Sequence, residues 1–85
     1  MTEWWVYLIQ CKDGSLYCGI ARDVQRRFSA HQRGAGARYT RGRGPLRLVY
    51  QEPAKSHAAA LVRERQIKGM PRAQKQALVA VGDSR

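Results

Sequence analysis

The chain has 85 residues, 44% of them apolar, which is room for one small domain around one modest core. Sixteen Lys and Arg against six Asp and Glu give a formal net charge of +10, while two Trp, four Tyr and several apolar runs exclude a disordered basic tail. No apolar stretch nears the ~18 residues of a membrane span and no secretory signal opens the chain, so a cytoplasmic location and no membrane partner are expected.

In chain order, Trp4-Trp5-Val6-Tyr7-Leu8-Ile9-Gln10-Cys11 is β-branched and aromatic and predicts a buried strand. Lys12-Asp13-Gly14 is a turn, and residues 15–20 are the return strand of a hairpin. Asp23 suits a helix N-cap, with the helix running to about Arg33 and closed by Gly34. Residues 34–45 hold four Gly, one Pro and three Arg and predict a loop. A third strand is expected over 46–52. A second helix should start at Lys55 or Ser56 and stop at Gly69, and a third of about ten residues should begin at Pro71. The core spans about 4–80 of a single domain over 1–85, with 82–85 a loose tail. The order β-β-α-β-α-α makes an α/β (α+β) domain, a three-stranded sheet flanked by helices.

The charge is concentrated. Residues 22–47 carry eight Arg and one acid, Asp23. Arginine presents a planar fork of donors that fits phosphate oxygens, so this field points to nucleic acid rather than to a surface made basic for solubility. The glycines of 34–44 then give Arg38, Arg41 and Arg43 freedom to follow a backbone, and the loop is expected to order only on substrate. Arg22, Arg26 and Arg33 are phosphate contacts or solvated charges. Tyr39 could stack on a base or simply pack.

A three-residue turn pairs Cys11 with Ser15, so paired positions sum to 26. Tyr7 and Tyr17 then share a face, diagonally across the ladder. Spacing alone favours two core aromatics with satisfied hydroxyls. Arg27 and His31 share a face of the first helix. Glu64 sits in a stripe with Ala60, Leu61, Ile67 and Lys68, where a carboxylate is costly unless paired or bound to a metal. An ion pair with Lys68, Arg63 or a distant Arg stands level with a metal site. Glu52 is the other acid outside caps, turns and termini. Cys11 and Cys18 point to opposite faces, and their spacing to His31 and His57 is too open for a zinc finger, so both read as core filler.

Four segments resemble one family. Trp5-Val6-Tyr7 and Tyr17-Cys18-Gly19 look like the paired-strand motifs of the GIY-YIG nuclease superfamily. Residues 21–31 resemble its helix carrying Arg and His, and 59–69 its helix carrying the metal-binding Glu. The likeness is to the short stand-alone bacterial branch, in a superfamily that includes the amino-terminal nuclease domain of the repair protein UvrC. It implies an endonuclease that hydrolyses DNA phosphodiester bonds with one Mg²⁺ (or Mn²⁺), in repair or recombination. Tyr7 would be the base, assisted by His31; Tyr17 would orient water or phosphate; Arg27 would stabilise the phosphate; Glu64 would hold the ion. In that role a nearby Arg and the metal should favour the Tyr7 phenolate. The chain has no Asn, although many family nucleases carry one near the end of the domain. A nucleic-acid-binding module of the same fold with little activity is the alternative.

Overall fold

The computed structural model describes residues 3–83. Strand β1 (Trp4–Gln10) pairs antiparallel with β2 (Leu16–Ala21) and, on its other side, with β3 (Arg47–Ala54), giving the order β2-β1-β3. Helices α1 (Val24–Gln32), α2 (His57–Lys68) and α3 (Arg72–Asp83) complete the ββαβαα order. The third strand runs two residues beyond its expected end, carrying Pro53 on an outer strand where a missing N–H is tolerated. The expected loose tail is corrected for 82 and 83, which close α3; 84 and 85 lie outside the described residues.

The central strand explains its own composition. Val6 and Leu8 face one way and pack with Cys18, Ala60 and Ile67, on the α2 and α3 side. Tyr7 and Ile9 face the other way and pack with Cys11 and Val24, on the α1 side. Both faces of β1 are buried, so its sequence reads as a continuous apolar run. The two cysteines fall on opposite sides, as parity requires.

The hairpin register follows from its turn. The Cys11 N–H donates to Ser15 O at 2.9 Å, and Gly14 takes the left-handed conformation at φ 85°. Tyr7 pairs with Gly19 and Ile9 with Tyr17. Asp23 caps α1 by accepting from the Arg26 N–H at 3.0 Å, and Ser56 caps α2 by accepting from Ala59 N–H at 3.1 Å.

Candidate active site

The site grows from the edge strand β2. Tyr7 is 1% exposed, and its ring lies over Gly19: a Cβ there would sit 2.5 Å from the Tyr7 hydroxyl. The diagonal geometry brings the Tyr7 and Tyr17 rings to 6.4 Å between centroids. In the last turn of α1, His31 points into the same space, also 1% exposed. The Tyr7 hydroxyl and His31 Nε2 are 2.9 Å apart. His31 also meets Tyr17 edge-on, with centroids 5.2 Å apart.

The other imidazole nitrogen is held by the Gly-rich segment. His31 Nδ1 lies 2.8 Å from Thr40 Oγ1 and accepts from the Ala37 N–H at 3.2 Å, while the Thr40 hydroxyl also donates to Ala37 O at 3.0 Å. A hydroxyl and an N–H on one side let the ring find a partner whichever nitrogen carries its proton. Gly36 makes this approach possible, because a Cβ there would run into the imidazole. The loop expected to give its arginines freedom is therefore a brace. Its Arg38–Thr40 stretch forms a 3-10 turn, with Thr40 buried. Arg41 Nε donates to Gly34 O at 3.2 Å, and Arg43 bonds Asp13 at 2.8 Å while its guanidinium covers the Tyr39 ring at 4.5 Å. Tyr39, 42% exposed, in turn stacks on Tyr17, so it packs rather than standing clear as a platform.

Arg27 is exposed on α1, yet its charge reaches Tyr7, Tyr17 and His31. The charge of Glu64, on α2 at the opposite side of the sheet, acts on Tyr17 and Cys18. Its side chain is 20% exposed and has one loose partner, Lys68 Nζ at 3.6 Å. Leu61, expected in the same buried stripe, is exposed instead; Ala60 and Ile67 form the buried face. Glu52 is consumed by a fork of bonds from Arg63 Nε and by the Tyr50 hydroxyl.

Protonation at the site is set mainly by burial. It pushes the Tyr7 hydroxyl up to about 12, with Tyr17 adding to the rise and Arg27 opposing it. Arg27 does favour the phenolate, as expected, but desolvation outweighs the guanidinium. Tyr17 is likewise raised by burial. His31 is held below its ordinary 6.5 by burial and then by Arg27, so it is neutral at pH 7.

Around this centre, Arg22, Arg26, Arg27 and Arg33 line a cavity of about 420 Å³ between the end of β2 and α1. Arg22 also forms an exposed pair with Glu3 at 3.4 Å and lies over the Trp4 ring. Arg38 is exposed on the 3-10 turn. Thr40 and Gly36 carry no site signal in the sequence and are marked only by their contacts after folding, whereas Lys68 is one of the partners that the sequence offers for Glu64.

A three-stranded sheet with tyrosines on its central and edge strands, an Arg-His helix on one side and a Glu helix on the other defines a class of domain. The family model described as the GIY-YIG catalytic domain matches residues 3–77, and the chain belongs to the GIY-YIG family. Its relatives include a UPF0213 protein of Vibrio cholerae, 53% identical over 80 residues that cover 93% of this chain and 79% of that one. The UPF0213 protein YhbQ of Escherichia coli is 45% identical over 82 residues, covering 96% and 82%. The solution NMR structure of a UPF0213 protein from Bacillus halodurans is 45% identical, with a TM-score of 0.59 over 92% of this chain and 83% of that one.

Nucleases of this family generally use a divalent metal. The residues present fit a single ion. Glu64 is a partly buried carboxylate with lone pairs left over, and a hard cation can take one carboxylate and fill its shell with water and phosphate. No group of three or more His, Cys, Asp or Glu gathers among the described residues, so an all-protein cage is not built there.

Proposed function

We propose that this protein is an endonuclease that hydrolyses DNA phosphodiester bonds, in repair or recombination. The observation that carries this reading is the buried Tyr7–His31 pair, 2.9 Å apart and packed against Tyr17, with the charges of Arg27 and Glu64 both acting on Tyr17.

With a hydroxyl near 12, about one Tyr7 in 10⁵ is ionised at pH 7. Tyr7 therefore works as a relay and not as a stored base. Its oxygen takes a proton from the attacking water while its own proton passes to Nε2 of neutral His31. The tautomer that does this carries its hydrogen on Nδ1 and donates it to Thr40 Oγ1; the Ala37 N–H bond to Nδ1 belongs to the other tautomer. The water oxygen bonds to phosphorus, the bond to the leaving oxygen breaks, and solvent returns a proton there. Arg27 neutralises the charge that grows on the phosphate. Tyr17 orients the water or the phosphate. Glu64 would hold one Mg²⁺ or Mn²⁺ ion, whose chemistry when bound would be to stabilise negative charge on the leaving group. Arg22 and Arg26 contact flanking phosphates. Arg38 does the same from the loop, whereas Arg41, Tyr39 and Arg43 serve first to hold the centre together.

The test is incubation of the wild type and Glu64→Gln with labelled flap, fork, single-stranded and duplex DNA in Mn²⁺. The wild type cuts at least one of these and the variant cuts none. Equal cutting by the variant overturns the reading.

A further inference from the structure

A second basic cavity lies at the other end of β2. Ser15, Leu16, Tyr39, Arg72 and Lys75 line about 200 Å³ where the hairpin meets the first turn of α3. The Arg72 guanidinium is fixed there by donating to Gly14 O at 3.2 Å, a neutral acceptor that leaves its charge unspent. Neither Arg72 nor Lys75 enters any of the ion pairs formed among the described residues. No acidic side chain lines the cavity.

The two cavities are arranged about one strand. The first, rich in arginine, takes its wall from Ile20 and Ala21 at the end of β2; the second takes Ser15 and Leu16 at its start. Tyr17 and Gly19 lie between. Each cavity shares one residue with the catalytic cluster: Arg27, whose charge acts on both tyrosines, and Tyr39, which stacks on Tyr17. From Ser15 to Ile20 the strand rises roughly 17 Å, room for more than one backbone phosphate. An edge strand flanked by two cationic cavities, with the reacting groups midway, is a track for a polyanion.

We infer that Arg72, Lys75 and Ser15 form a phosphate-binding subsite for a DNA strand that runs along β2, taking a backbone phosphate on one side of the cleaved bond while the arginine cavity takes one on the other. This rests on the nuclease reading and adds a polarity to it. The two cations and the Ser15 hydroxyl supply charge-assisted donors to the phosphate oxygens. The subsite reads backbone and not bases, so it adds affinity without sequence preference.

The experiment uses the full chain and a single-stranded oligonucleotide with one neutral methylphosphonate linkage, moved stepwise through the cleaved region. For the wild type, a neutral linkage at one position on each side of the cut weakens binding several-fold. In the Arg72→Gln/Lys75→Gln variant the loss on one side vanishes and the loss on the other remains. The variant binds unmodified DNA roughly tenfold more weakly, and its salt slope falls by about 0.7, the loss of one neutralised phosphate. The neutral-linkage scan needs no variant, so a poorly folded double variant does not hide the answer. Binding is measured without metal, which separates the two readings. Wild type that binds and never cuts overturns the nuclease reading, while two separate sensitive positions in the scan, one of them lost in the variant, still decide the subsite. Variant binding and salt slope equal to wild type, or a wild-type scan sensitive on one side only, overturns the subsite.

Discussion

Two arginine-rich stretches stand side by side in the sequence and do opposite work in the fold. On α1 the helical repeat gathers Arg26, Arg27 and Arg33 around an open cavity, and none of them enters an ion pair among the described residues. In the Gly-rich segment Arg41 is tied to Gly34 O and Arg43 to Asp13, while the Arg43 carbonyl accepts from Lys12 N–H at 2.8 Å. A helix satisfies its own backbone and can spend its side chains on solvent and ligand. A segment without a ladder must find those partners elsewhere, and here side chains supply many of them. Charge content alone did not distinguish the two.

The largest expected effect breaks the comparison at Arg27. Arg27→Gln lowers the cleavage rate about 10³-fold, while Arg41→Gln changes it by no more than roughly twofold. Single-turnover rates on the same DNA check both. Equal losses would show that loop and helix share one task.

The brace is sharpened at Thr40. Thr40→Val removes the oxygen that holds His31 Nδ1 and one of the two donors to Ala37 O, the Thr40 N–H remaining. Stability falls by about 1–3 kcal/mol, measured by urea denaturation. The cleavage rate falls with KM little changed, and Thr40→Ser restores it. A change in KM alone would put Thr40 on the DNA and not behind the histidine.

The smallest effect is a pH dependence. His31 is held below 6.5 in the folded chain by burial and Arg27. Below 6.5 the unfolded chain binds more protons than the folded one, so stability declines as pH falls through that range and levels off below the folded value. The same protonation removes the acceptor for the Tyr7 proton, so cleavage declines on the acid side too. Urea titrations between pH 5 and 8 for the wild type and His31→Gln check this; the variant loses the acid-side slope.

Sequence legibility followed locality. The hairpin register was readable because one short turn sets it, and Gly14 supplies the conformation that turn needs. The caps at Asp23 and Ser56 were readable for the same reason. Tyr7, Tyr17, Arg27, His31 and Glu64 stood out because the segments carrying them match a family pattern. The brace was not readable. Gly36 and Thr40 look like ordinary loop residues until residues 36–40 fold back on His31. Nor was the second cavity, since Arg72 and Gly14 are 58 positions apart and meet only through tertiary packing. The balance between burial and charge at Tyr7 also depends on desolvation, which no spacing reports.

The most direct measurement removes one oxygen. Tyr7→Phe deletes the hydroxyl 2.9 Å from His31 and leaves the aromatic ring in the core. Compared with wild type in one assay on a DNA that the wild type cuts, the variant should bind with unchanged affinity and yield no product across pH 6–9. Product formed at a rate near wild type would contradict the relay.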